Sequence, residues 1–354
     1  MGLDTPVAAR KPLLVTIDTE GDDHWSAPRR ITCRNAAFIP RFQELCERYG
    51  FKPTYLTTYE MTGNGFFVEF AADALKRGAA EVGMHLHAWH SPPDHPLTAA
   101  GDGALTPYLI EYPDHVMRAK IQYLTARLED TFGTRMTSHR AGRWALDARY
   151  ARMLVEHGYT VDCSVTPYVN WARARGATRG GVDYRAFPTH PYRMDLDDIG
   201  RPGTSSLLEL PMSIRPRRFD PVRGPLGWLF RAPGAYRTAG RLAGIDWLRP
   251  NGRNGAAMIR LAARLWREDA PYAQFALHSS ELMPGGSPTF RTAEDIERLY
   301  RDLEALFEAM APRYAGCTLQ DFARGYAPPP PTVCRGRTIL PRTAFPPLDP
   351  PVIR

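Results

Sequence analysis

Leu13-Leu14-Val15-Thr16-Ile17 runs directly into Asp18-Thr19-Glu20-Gly21-Asp22-Asp23-His24-Trp25. The first five residues are apolar and partly β-branched, which marks a buried strand. The strand stops where carboxylates begin. Asp18, Glu20, Asp22 and Asp23 fall within six residues and repel one another. A cation or a basic group would neutralise them. The plainer alternative is a solvated acidic turn.

Outward from this stretch, strands and helices alternate. Residues 36–49 carry Phe38, Phe42, Leu45, Cys46 and Tyr49 at helical spacing and end at Gly50. Residues 54–57 form a second strand, 66–77 a helix before Gly78, and 81–86 a third strand. The Pro- and Gly-rich stretch 92–112 is a loop. A long amphipathic helix covers 114–132, followed by Gly133. Strand, helix and strand follow at 136–140, 147–157 and 159–163. Another strand is predicted at 207–214, a helix at 254–268, a strand at 274–277 and a helix at 292–311. This order indicates parallel β/α units closed, or nearly closed, into a barrel. Such folds gather active-site residues at the C-terminal strand ends. Residues 215–252 read as an insertion bordering the mouth of that site, with Trp228 and Arg231 in it. Residues 326–354 contain nine Pro and form a tail outside the barrel.

The composition fits a soluble globular chain. Of 354 residues, 44% are apolar and 23% charged, which excludes a disordered chain, a coiled coil and a collagen. No apolar run approaches the roughly 18 residues of a membrane span. The net charge is +7, but among the 45 basic residues only Lys11, Lys52, Lys76 and Lys120 are lysines. The arginines are spread along the chain, with a mild density at 201–264. This pattern argues against a nucleic-acid surface; an acidic glycan or a lipid-linked phosphate would suit the denser part. The five Cys are widely spaced and form no Cys-x-x-Cys, so neither a disulfide framework nor a zinc ribbon is expected. The N-terminus lacks a signal-peptide pattern, and a cytoplasmic location is the expectation.

Further polar clusters stand at the predicted strand ends. His85 and His87 are two apart and face the same way on a strand, so both imidazoles could reach one metal. His90 joins them if a helix begins there. Two His and one carboxylate leave an open position for water, as catalytic zinc sites require. Other divalent ions suit the same set. Arg140, in His139-Arg140-Ala141-Gly142-Arg143-Trp144, could hold a carboxylate in two-pronged fashion. Asp162 stands at another strand end, where capping is the ordinary role of Asp. His278 ends an apolar strand and suits a general acid near neutral pH. There is no Gly-x-Ser-x-Gly elbow, P-loop or dinucleotide glycine fingerprint.

The order of these clusters resembles the polysaccharide deacetylase family, the nodulation-type deacetylases of carbohydrate esterase family 4. The matching segments are Thr16-Ile17-Asp18-Thr19-Glu20, Glu81-Val82-Gly83-Met84-His85, His139 to Trp144, Asp162-Cys163-Ser164 and Leu277-His278. The likeness spans residues 12–325. It implies a distorted (β/α)7-type barrel. It also implies Asp18 as catalytic base, Arg140 as its orienting partner, His278 as general acid with Asp162 tuning it, and His85 as a metal ligand. Two departures matter. The family's first motif has adjacent Asp-Asp, whereas this chain has Asp-Thr-Glu, which makes Glu20 the carboxylate ligand and Asp22 the reserve. The family's second His lies four residues after the first, but position 89 is Trp89, so His87 or His90 takes its place.

The expectation is therefore a metal-dependent N-deacetylase acting on an N-acetylated sugar in a glycan or sugar-lipid. Zinc is the first choice of metal, with Co, Ni and Mn behind it. Trp89, Trp144 and Trp171 could offer ring faces to a sugar. The alternatives are a hydrolase of another non-peptide C–N bond on a small metabolite and a carbohydrate-binding protein without catalysis.

Overall fold

The computed structural model describes residues 9–26, 31–97, 105–220 and 243–327. Strands β1 (Lys11–Thr19), β2 (Pro53–Thr57), β3 (Glu81–Leu86), β4 (Ser138–Ala141), β5 (Val161–Asp162), β6 (Tyr192–Arg193), β7 (Leu208–Glu209) and β10 (Ala273–His278) lie in one sheet. Its order is β10-β1-β2-β3-β4-β5-β7-β6. Every neighbouring pair is parallel except β6 with β7. A short strand β11 (Tyr314–Gly316) adds to the start of β1. Between them run α1 (Ile39–Arg48), α2 (Gly65–Lys76), α3 (Asp114–Phe132), α4 (Ala148–Glu156), α5 (Gly255–Arg267), α6 (Ala293–Met310) and α7 (Leu319–Gly325). The predicted α/β architecture is therefore present, with the C-terminal ends of the parallel strands all on one side.

Side-chain alternation explains how the sheet builds a site. On β1, Leu13, Val15 and Ile17 pack into the main core beneath the helices. Leu14 faces the other way, into a small apolar cluster with Leu56, Val161, Leu208, Leu210 and Leu319. Thr16 and Asp18 share that inward face. The concave side thus passes from Leu14, at the end closed by α7, to a carboxylate at the C-terminal end. The helices bind the convex side through apolar stripes; α1 buries Ile39, Phe42, Leu45 and Cys46. Gly133 ends α3 in the left-handed conformation, at φ 63°, which a residue without Cβ adopts freely.

Three expectations change in detail. The strand predicted at 207–214 is broken, because Pro211 has no N–H to donate to a ladder. Leu208–Glu209 stays in the sheet, and Ile214–Pro216 (β8) pairs antiparallel with Ile245–Trp247 (β9) instead. This hairpin belongs to the predicted insertion and brings the Trp247 ring within 5.7 Å of Trp144. The helix expected from residue 36 starts as a 3-10 turn, Arg34–Phe38, before α1. The elements β6, β11 and α7 were not foreseen. Trp228, Arg231 and the tail beyond Ala327 lie outside the described residues. Among the described residues, no helix is long and apolar enough to cross a membrane.

Candidate metal centre and active site

Parallel pairing fixes which side chains meet. Asp18 on β1 pairs in register with His278 on β10, and His85 on β3 pairs with Arg140 on β4. Residues in register share a face. His85 and Arg140 thus point into the concave side beside Asp18, and His87 follows His85 on the same face. Gly142 makes room for this strand end, since a Cβ there would collide with the Leu86 carbonyl and press on His87.

Arg140 is fully buried. One of its guanidinium nitrogens donates to Asp18 Oδ1, and the other donates to Thr16 Oγ1 at 2.7 Å. Its Nε reaches the Cys163 carbonyl at 3.3 Å, and the Trp144 ring lies 4.7 Å from the guanidinium carbon. Burial alone would raise the Asp18 pKa. The charge of Arg140, with the imidazoles of His85 and His278, outweighs it and holds the carboxyl far below its usual range. Asp18 is therefore an oriented carboxylate, with Oδ1 tied to Arg140 and Oδ2 3.5 Å from His278 Nε2.

Glu20 follows the end of β1 and meets the two imidazoles. Its Oε2 lies 3.2 Å from His87 Nε2 and 3.7 Å from His85 Nε2, and the two nitrogens are 2.9 Å apart. Tetrahedral bonds of about 2.0–2.1 Å put donor atoms about 3.3–3.4 Å from one another. The three observed separations bracket that value, so the donor set fits a divalent ion. His85 Nδ1 lies 2.9 Å from the Arg140 carbonyl, which takes its N–H and leaves Nε2 as the free lone pair. Burial would raise the Glu20 pKa, but His278 and His87 lower it to about 2. Burial is also the main reason that the His87 pKa falls to about 4. An ionised carboxylate and a neutral imidazole are the ligand forms.

His24 and Glu60 adjoin this cluster. Donor atoms of Glu20, His24 and His87 all lie within 4.8 Å of one another. His24 Nε2 is 2.9 Å from Glu60 Oε1. Burial disfavours charge on His24, yet Glu60, Glu20 and Asp22 together raise its pKa to about 9. His24 stands in the first sequence cluster without a role expected of it, and Glu60 carries no local signal.

His278 has partners at both nitrogens. Its Nε2 faces Asp18 and, at 3.9 Å, Glu20 Oε1. Its Nδ1 lies 2.8 Å from Arg249 Nη2 and 3.2 Å from Glu281 Oε2. A guanidinium only donates and a carboxylate only accepts. Arg249 therefore matches the neutral ring, and Glu281 matches the protonated one. Burial opposes the charged ring, but Glu20 and Glu281 prevail and the His278 pKa is raised. Trp25 stands over this residue, its ring 4.9 Å away edge-on and 44% exposed. Sequence reasoning missed Arg249, which lies in the insertion, and Glu281, three residues past His278.

Other expected residues fall elsewhere. Asp162 pairs in register with His139, one residue from Arg140 and so on the opposite, helix-facing side. There it accepts from His139 Nδ1 at 2.6 Å and Ser164 Oγ at 2.9 Å. The carboxylates beside His278 are Asp18, Glu20 and Glu281; the period-two alternation keeps Asp162 from that set. Asp22 accepts from Thr32 Oγ1, Asn35 Nδ2 and the Asn35 and Arg34 backbone N–H groups, so it ties down a turn. His90 Nε2 is 3.9 Å from Glu60 Oε2, beside Glu60 and not Glu20. Trp89 packs on His87 at 4.5 Å. Trp144 is buried against Arg140 and Trp247. Trp171 donates to Thr166 Oγ1 at 2.9 Å.

No protein-family profile matches this sequence, and no curated protein matches it. Solved structures do. A candidate glycoside hydrolase/deacetylase from Parabacteroides distasonis is 11% identical, with a TM-score of 0.53 over 90% of this chain and 72% of that one. A 4-α-glucanotransferase from Thermococcus litoralis is 12% identical, with a TM-score of 0.50 over 90% of this chain and 40% of that one. A candidate polysaccharide deacetylase from Mycobacterium smegmatis is 14% identical, with a TM-score of 0.48 over 90% and 91% of the two chains. At these identities the likeness concerns the fold. This chain shares its α/β barrel-like fold with the Parabacteroides and Thermococcus proteins.

Proposed function

We propose that this protein is a metal-dependent N-deacetylase acting on an N-acetylated amino sugar in a glycan or sugar-lipid. One observation carries the reading: an oriented carboxylate, Asp18, and an imidazole, His278, flank a buried carboxylate and two imidazoles at the C-terminal end of a parallel sheet. Glu20, His85 and His87 would hold the ion. When bound, a divalent ion supplies Lewis-acid polarisation of a carbonyl and a more acidic water.

The residues of the chain do the rest. Asp18 takes a proton from the attacking water through Oδ2, while Arg140 fixes its other oxygen. The new C–O bond forms first, as the carbonyl π pair moves onto its oxygen, and the acetyl C–N bond breaks in a second step as the carbonyl re-forms. His278 gives the proton at Nε2 to the departing amine, and Glu281 accepts from Nδ1–H while the ring is charged. Acetate and a free amino sugar leave. The exposed Trp25 ring beside His278 offers an apolar face for a sugar ring. The test strips the protein of metal, reloads it with Zn, Co, Ni or Mn, and measures acetate from N-acetylglucosamine oligosaccharides. Metal-dependent acetate release is expected. Tight metal binding without acetate release from any N-acetylated sugar would overturn the deacetylase assignment.

A further inference from the structure

We propose that His24 is a fourth metal ligand, bound through Nδ1 and oriented by Glu60. The proposal rests on the reading above in one respect, that an ion occupies the cluster around Glu20. His24 lies in a short turn, His24–Ser26, after the carboxylate run. Its side chain is only 7% exposed, as is that of Glu60. The ring centroid is 5.0 Å from that of His87 and 6.2 Å from that of Trp89. A donor atom of His24 lies within 4.8 Å of donor atoms of both Glu20 and His87.

Glu60 decides which nitrogen is available. Its Oε1 lies 2.9 Å from His24 Nε2 and accepts from the Gly21 backbone N–H at 2.8 Å. A carboxylate only accepts, so a proton sits on His24 Nε2. In the neutral ring, the form that binds a metal ion, Nδ1 then carries the lone pair, and the ion takes the place of the second proton that the surrounding carboxylates favour. Metal-bound histidines commonly show this pattern, with the second N–H given to a carboxylate or a carbonyl. His85 shows the same device, with the Arg140 carbonyl in the place of Glu60. Gly21 lets the turn fold back this tightly. A Cβ there would collide with Ile31 and come within 3.0 Å of His24 Nε2.

The consequence concerns coordination number. Glu20, His24, His85 and His87 together leave a place for water only on an ion that takes five or more ligands. X-ray absorption on the cobalt- or zinc-loaded full chain counts bound imidazoles directly. Three are expected in the natural protein and two in His24→Gln, which retains an N–H for Glu60. Chelator competition provides the second readout. Glu60→Gln should weaken metal binding by roughly 10–100-fold, the usual effect of removing an orienting partner. His24→Gln should weaken it at least as much, with the circular dichroism spectrum unchanged. Two imidazoles in the natural protein would overturn the proposal, as would natural affinity in His24→Gln. That failure is distinct from failure of the metal-dependent reading, in which the natural protein itself takes up no divalent ion.

Discussion

Replacing Arg140 by Met tests the buried carboxylate pair from the stability side. The guanidinium is fully buried, and the Asp18 side chain is 3% exposed. The substitution removes the charged bond to Asp18, the bond to Thr16 Oγ1 and the contact with the Cys163 carbonyl. It also strands a carboxylate in a dry site. Breaking a buried pair in this way destabilises a protein by about 3–5 kcal/mol. Asp18→Asn on the same background removes the stranded charge and should recover part of the loss. A coupling energy of about 1–3 kcal/mol between the two positions is expected. Urea denaturation of the four metal-free proteins, followed by circular dichroism, supplies the cycle. A loss below about 1 kcal/mol for Arg140→Met, or additivity within about 0.5 kcal/mol, would refute the reasoning.

Glu209 pairs in register with Asp162, and burial with the neighbouring Asp162 charge pushes its pKa well up. The folded state then holds more protons than the unfolded state from about pH 4.3 upward, so stability falls as pH rises through that window. Glu209→Gln should remove this slope and gain on the natural protein as pH rises; parallel stability curves between pH 4 and 8 would contradict it. Phe42 is fully buried between α1 and the sheet, stacked on Phe275 and edge-on to Phe307. Phe42→Ala should lose about 3–5 kcal/mol in denaturant titration, and a much smaller loss would mean that α1 does not anchor the core. Truncation after Ala327 should leave a folded protein, because Tyr326 still packs on Phe322 and donates to the Pro191 carbonyl. A drop in melting temperature would place the Pro-rich tail within the fold.

The fold was legible because its signals are local. The buried run of β1, the apolar stripes of α1 and α3 and the glycines after helices marked most of the strands and helices to within a few residues. The strand at 207–214 was misread because one Pro outweighs several apolar neighbours. Of the candidate site, the spacing of His85 and His87 was legible, since a step of two carries the same face just past the end of β3 and brings their rings together. Asp162 was misplaced for the same geometric reason: it lies one position out of phase with the inward face, which only the register with His139 reveals. Glu60 and Arg249 gave no sequence signal, since each reaches the site from a loop whose path depends on tertiary packing. Trp144 looked like a sugar platform until the structure showed its ring covering Arg140.

Metal content measured beside acetate release in five variants tests the central claim most directly. Asp18→Asn should keep its metal and lose roughly 10²–10⁴-fold in rate, because an amide cannot take the water's proton. His278→Ala should also keep metal and lose rate, most severely for poor leaving amines. Glu20→Gln, His85→Ala and His87→Ala should each lose metal together with activity. If Asp18→Asn loses its metal while Glu20→Gln and His87→Ala retain theirs and still release acetate, the division of this site into base and ligands is wrong.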